Sequence, residues 1–264
     1  MSEMNTTRNV AKQYSDDKNL TSRIDLHSKY STNKQGFVSW LFDKYSFLEN
    51  YRILELGCGN GEQWNGRIDF LPNGCDLILS DFSDGMVNAV RGKYSKHHNV
   101  SFDNIDIQSI DYPNESFNAV IANHMLYHIP DLPKALSEVK RVLKQGGKFY
   151  CTTNGNGGMR LFLRDALRHF DIDAEVFTKE LTFSLQNGTG ILNRYFSDVS
   201  KYDYIDSLSV TETQALIDWI KSTVSIASYT EKDIDKLYDY FERIRKRDGE
   251  IILPKECGLF IAVK

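Results

Sequence analysis

Positive charge is not in excess in this chain of 264 residues. Lys and Arg number 32 against 36 Asp and Glu, a formal charge of −4. A nucleic-acid partner is therefore not expected, because phosphate binding leaves a strongly basic face. The basic run Arg243-Ile244-Arg245-Lys246-Arg247 reads as a solvated helix end, where cations suit the dipole. Cysteine is sparse: Cys58, Cys75, Cys151 and Cys257 lie far apart and form no C-x-x-C pair. Buried free thiols in a reducing compartment follow. No apolar stretch approaches the ~20 residues of a membrane span. The opening Met1 to Asn19 is polar throughout, unlike a signal peptide. The expectation is a soluble, cytoplasmic protein with neither membrane nor nucleic-acid partner. Repeats and low-complexity segments are missing too, and prolines number only 5.

What is present is the composition of a globular domain, 41% hydrophobic and 26% charged, long enough for one α/β domain with an insertion. The densest information lies in Ile53 to Trp64, I-L-E-L-G-C-G-N-G-E-Q-W. Arg52 to Leu56 is an apolar run of the buried parallel-strand kind. Gly57, Gly59 and Gly61 then let the backbone turn sharply and leave no Cβ where a ligand must approach. Glu62-Gln63-Trp64 is predicted to open a helix whose first N–H groups face that ligand. A dinucleotide turn needs G-x-G-x-x-G, and here the third glycine position holds Glu62. A carboxylate there repels a pyrophosphate. A ligand with its own ammonium group suits the loop better.

Strand-like runs recur at Arg52–Leu56, Asp76–Ser80, Val100–Ile105, Ala119–Ala122 and Lys148–Thr152. Helical patterns lie between them at Ser83–Tyr94 and Leu132–Leu143, and another precedes them at Asn33–Tyr45. Such alternation means a parallel sheet covered on both faces. Regularity breaks after Thr153. The spacing predicts a helix over Leu161–Phe170, a hairpin over Thr182–Tyr195, a strand near Val199–Ile205, helices over Thr211–Thr223 and Glu231–Lys246, and a closing strand at Cys257–Val263.

E-x-G-x-G-x-G after a strand resembles the first motif of class I S-adenosylmethionine-dependent methyltransferases, and the likeness extends over about residues 33–264. It implies an α/β fold: a seven-stranded, mostly parallel sheet with helices on both faces, its last strand antiparallel. A substrate-side insertion at about 155–196 follows the fifth strand, and residues 1–32 form an N-terminal lid segment. The cofactor implied is S-adenosylmethionine, held by Glu55, Gly57, Gly59 and Gly61. Asp81, at the end of strand two, is placed to accept from ribose hydroxyls; its other reading is a helix-capping carboxylate. Phe82 and Met86 would flank the adenine. Asp106-Ile107 stands where relatives meet the adenine amino group, with Asp103 and Asp111 as neighbouring alternatives. Asn123, after strand four, would contact the methionine part, and Arg23 either pairs with the cofactor carboxylate or is surface charge.

On the substrate side the candidates are Tyr14, His27, Tyr30, His124 and His128. His128 either packs and bonds Asp131 or serves as a base toward the acceptor. His124 and His128 lack the glutamate of H-E-x-x-H and a third ligand, so no metal is expected. The N-terminal segment and Met159–Tyr195 carry aromatic and polar residues without core periodicity (Arg160, Arg164, His169 and Arg194 in the second), the content of a lid. The resemblance implies in-line methyl transfer to an oxygen or nitrogen of a small-molecule acceptor. The alternative is a cofactor-binding sensor or non-catalytic partner subunit with the same fold.

Overall fold

The structure, a computed structural model, describes residues 25–170, 172, 177, 179–222 and 229–264. Its centre is a seven-stranded sheet. In chain order the strands are β1 (Arg52–Leu56), β2 (Asp76–Asp81), β3 (Val100–Asn104), β4 (Phe117–Asn123), β5 (Leu143–Asn154), β6 (Asp198–Tyr204) and, after two strands of a smaller sheet, β9 (Cys257–Val263). Their spatial order is β3-β2-β1-β4-β5-β9-β6. The first five are parallel, whereas β9 runs antiparallel to both neighbours, β5 and β6. The chain proceeds from β1 outward through β2 and β3, then returns to place β4 on the other side of β1. The crevice beyond the carboxyl ends of β1 and β4 is thus the switch point where open α/β sheets bind ligands.

Alternate residues of each strand serve opposite faces. Leu54, Leu56, Val120 and Ala122 join one core, together with the inner stripe Ala135, Leu136, Val139 and Val142 of a helix at Leu132–Val142. Ile53, Leu77, Ala119 and Ile121 join another beneath Leu41 of helix α1 (Phe37–Phe42) and Val90 and Tyr94 of α2 (Asp84–Tyr94). The Leu132–Val142 helix, α3, is capped at its start by Asp131, whose Oδ1 accepts from the Lys134 N–H at 3.0 Å.

A third core stands apart as a cap. It gathers Leu26 and Tyr30 from the helical residues 25–30 with Leu163 and Leu167 of α4 (Met159–Arg168). Leu216 and Ile217 come from the helix at Thr213–Lys221, and Leu237 and Phe241 from the one at Glu231–Asp248. A two-stranded antiparallel sheet, β7 (Ser207–Val210) with β8 (Ile251–Pro254), completes it; the sequence reading did not foresee this sheet.

Two local expectations are corrected. Glu62-Gln63-Trp64 forms only a 3-10 turn, followed by a second at Ile68–Phe70, so no long helix follows the glycines. Trp64 is fully buried and fixed by its indole N–H, which turns the chain inward instead of extending it. The segment 182–195 is no hairpin but a short helix, α5 (Gly188–Leu192). Asn187 there uses Oδ1 to accept from the Ser184 N–H (2.7 Å) and Nδ2 to donate to the Leu181 carbonyl (3.1 Å), closing a turn where a strand ladder was expected. Its Phe183, Leu185, Leu192 and Phe196 pack on the sheet core, whereas α4 packs in the cap.

Candidate functional site

The glycine loop leaves β1 with positive φ at Gly57 (70°), Gly59 (55°) and Gly61 (70°). At Gly61 the requirement is doubled, because a Cβ there meets Tyr94 Cε2 and Val90 Cγ1, each at 2.8 Å. Those residues belong to α2, which also holds the loop from outside: Tyr94 Oη donates to the Gly61 carbonyl (2.9 Å) and Lys93 Nζ to that of Asn60 (3.0 Å).

Asp81 closes the loop from β2. Its Oδ2 accepts from the Gly59 N–H and its Oδ1 from the Ser83 N–H, both at 2.9 Å. Desolvation raises its pKa, and those backbone donors pull against the rise. Ser83 itself caps α2, so Asp81 serves loop and cap together. Beside it Phe82 is exposed (43%), whereas Met86 is turned onto the buried stripe of α2. Asn104, overlooked in the sequence, donates from Nδ2 to the Phe82 carbonyl (3.0 Å) and so fixes this corner. Asp106 folds back on its own turn, accepting from the Gln108 N–H at 2.8 Å; Ile107 lies in the sheet core. Asp103 accepts from Tyr112 Oη at 3.0 Å.

Glu55 is 2% exposed, and its two oxygens accept from Gln63 Nε2 and Trp64 Nε1. Burial pushes this carboxyl up to about 7, against the pull of those two donors. Gln63 Oε1 in turn accepts from Asn123 Nδ2 (2.8 Å), which donates also to Tyr45 Oη (2.9 Å). Tyr45 stacks edge-on against Tyr150 (5.0 Å). The ends of β1 and β4 are thereby locked together, and Asn123 Oδ1 is left buried with no partner among the described residues. Gln63 and Tyr45 carry no distinguishing signal in the sequence: one fits a helix start and the other a helical stripe.

His124 follows with φ of 52°, uncommon for a residue with a Cβ. Its N–H is bound by Thr152, at 3.1 Å to both O and Oγ1. The ring lies 5.2 Å from Phe37. Burial, then the charge of Lys255, pushes the imidazole down to about 4. His27 is pushed down to about 3 by burial, Lys255 and His124, with Asp206 opposing. Lys255 and Asp206 form a buried pair at 2.9 Å that no sequence pattern announced. Asp206 also accepts from Ser31 Oγ (2.8 Å) and from the Asn33 and Ser207 N–H groups (3.0 and 2.8 Å). Tyr30, expected beside a substrate, is buried in the cap core, where i, i+4 spacing aligns it with Leu26. His128 ends a 3-10 turn with its ring 4.5 Å from Tyr127. Tyr14 and Arg23 lie outside the described residues. Among the described residues no group of three or more His, Cys, Asp or Glu is arranged to hold a metal, and no helix is long and apolar enough to cross a membrane.

Residues 54–151 match a family model described as a methyltransferase domain. Sterol 24-C-methyltransferase of Candida albicans is 33% identical over 113 residues, 42% of this chain and 30% of that protein. Demethylmenaquinone methyltransferase of Clavibacter sepedonicus is 31% identical over 97 residues, 37% of this chain and 38% of that protein. The chain thus spans about a third of the length of these curated relatives. In fold it is similar to the YcgJ protein of Bacillus subtilis: TM-score 0.59, 16% identity, covering 86% of this chain and 97% of that one. It is similar also to phosphoethanolamine N-methyltransferase 2 of Haemonchus contortus in complex with S-adenosyl-L-methionine: TM-score 0.59, 17% identity, covering 94% and 57%.

Proposed function

We propose that this chain, which carries a class I S-adenosylmethionine-dependent methyltransferase domain, moves a methyl group onto an oxygen or nitrogen of a small molecule. The observation carrying this reading is the convergence at one switch point of the glycine loop, Asp81 and the unpartnered Asn123 Oδ1. The donor set fits the cofactor. A buried acceptor suits an ammonium group, the glycines admit close backbone approach, and Asp81 can exchange its N–H partners for ribose hydroxyls.

When bound, S-adenosylmethionine supplies a methyl group on a sulfonium, removed by in-line displacement. The chain's own task is alignment and exclusion of water. Gly57, Gly59 and Gly61 would pass beneath the methionine part, Asp81 would hold the ribose, and Phe82 would cover the adenine with Asp106-Ile107 at its edge. Glu55 would act through Gln63 and Trp64, keeping the loop in shape. Positioning of this kind is worth up to ~7–11 kcal/mol at its best. His27, His124 and His128 would border the acceptor, and Arg23 and Tyr14 would approach from the N-terminal segment. That residues 25–30 and α4 share the cap core supports a cap that closes over the acceptor.

Calorimetric titration with S-adenosylmethionine, S-adenosylhomocysteine and NAD tests the reading. Both sulfur ligands should bind and NAD should not. Asp81→Ala should lose about 1.5–3 kcal/mol, the worth of hydrogen bonds to a charged group, or roughly ten- to a hundredfold in affinity. Failure of both sulfur ligands to bind folded protein would withdraw the proposal. Binding without methylation across acceptor pools would favour the sensor.

A further inference from the structure

Directly after Asn123 the chain brings together groups that the cofactor reading does not use. His124 is held in the left-handed region by Thr152, a conformation that persists only where surroundings enforce it. His27 reaches the same place from residues 25–30, and its Nδ1 is buried with no partner among the described residues. Phe37 lies 5.2 Å from His124 and 5.8 Å from Trp40, forming an aromatic wall. Lys255 Nζ stands 5.7 Å from the Phe37 ring centre. Phe37, Trp40, His27, His124 and Lys255 each keep a partly exposed surface. These side chains pack on one another without being closed off from solvent as those of the sheet cores are.

We propose that a recess among them, beside Asn123 and on the side of β4 away from the glycine loop, receives the acceptor, and that the acceptor presents a phenolic or enolic hydroxyl to His27 and His124. The inference rests on the methyltransferase reading and narrows it from oxygen or nitrogen to oxygen. Three arguments carry it. An unpartnered imidazole nitrogen is completed by an O–H donor. The aromatic wall suits a planar, conjugated body. The third is the sign of the field. Lys255 is paired with Asp206, and of the two charges it acts the more strongly on the imidazoles. At His27 its effect exceeds the opposing one of Asp206, and at His124 it adds to that of burial. A positive field stabilises an oxyanion and repels an ammonium.

The hydroxyl proton leaves to water, the imidazole nitrogen that accepts its hydrogen bond orienting the oxygen, and the oxygen lone pair forms the new O–C bond. The methyl–sulfur bond of the sulfonium cofactor breaks, leaving its electron pair on neutral sulfur.

The test is absorbance titration of the whole chain with 4-nitrophenol, whose neutral and ionised forms differ in colour, in the presence of S-adenosylhomocysteine. Expected is saturable binding, with the bound probe ionising about one pH unit or more below the free probe, a tenfold preference for its anion. His27→Gln and His124→Asn (Asn tolerates positive φ) should each weaken binding about tenfold and reduce that shift. Benzylammonium and 4-nitrobenzoate should compete poorly. Absence of nitrophenol binding while S-adenosylhomocysteine binds would overturn the recess, and so would binding unaffected by either substitution. Equal or tighter binding of benzylammonium or nitrobenzoate would overturn the hydroxyl. Because the competition uses the unsubstituted chain, the inference stays open to refutation even if a variant fails to fold. Absence of S-adenosylhomocysteine binding would overturn the cofactor reading separately.

Discussion

The glycine-loop end of the sheet and the cap are built by opposite means. At the glycine-loop end the contacts come from strand ends, the turns that follow them, and side chains of α2 and Tyr45 close by. Gly57–Gly61, Asp81 and Asn123 are tied by backbone N–H groups and short polar side chains. The cap is assembled from stretches remote in sequence, residues 25–30, α4, β7, β8 and the two late helices, held by apolar packing. A buried ion pair, Lys255–Asp206, pins residues 31–33 to the start of β7. One end depends on backbone geometry, the other on side-chain matching across distance. They should fail separately.

The largest effect expected on that separation comes from Lys255→Met. Removing one partner of a buried pair costs about 3–5 kcal/mol, because the other charge is left uncompensated. Hydrogen exchange should rise at residues 25–33 and 207–210 while S-adenosylhomocysteine affinity changes little. A parallel loss of cofactor affinity would show that the two ends are one cooperative unit. Gly61→Ala strikes the other side. Positive φ costs of order 1–3 kcal/mol for a residue with a Cβ, and the crowding against Tyr94 and Val90 adds to it. Urea unfolding should report that loss, with exchange in the cap unchanged at low urea.

Acid sharpens the comparison with the smallest effect. His27 and His124 have folded pKa values of about 3 and 4 against 6.5 unfolded, so the unfolded chain binds more protons below pH 6.5. Their contribution to stability is therefore present above that pH and lost as pH falls. Glu55 acts in the opposite sense, since its folded value of about 7 exceeds 4.5 and the native state holds the extra proton between them. Each net proton changes stability by up to ~1.4 kcal/mol per pH unit. Urea midpoints followed from pH 7 to pH 5 should fall less steeply in His27→Gln and more steeply in Glu55→Gln. Equal slopes would remove both groups from the acid response.

The same division explains what was legible in the sequence. Strands buried on both faces appear as apolar runs, and β1 and β9 were readable to the residue. The glycine loop was equally plain, because positive φ leaves few residue types to choose from. Glu62-Gln63-Trp64 misled because polar residues after a glycine are compatible with either a helix start or a single turn. Only the burial of Trp64 against Glu55 decides between them. The 182–195 segment alternates like a strand, yet Ser184 and Asn187 give its backbone other partners. Neither β7 with β8 nor Asp206 with Lys255 has a local signature. Both depend on chain segments more than forty residues apart meeting in space.

The position of β9 has a consequence for the order of assembly. Among the described residues β6 lies at the sheet's edge and pairs with β9 alone, and β9 is also the strand that borders β5. Until residues 257–263 leave the ribosome, β5 exposes a bare edge and β6 has no place to dock. Chains begin to fold during synthesis, so the half of the sheet that carries the glycine loop can form early. The far half must wait, its unpaired strands vulnerable to other chains. Factors that shield nascent chains would matter most for this protein in the interval between synthesis of β6 and of β9.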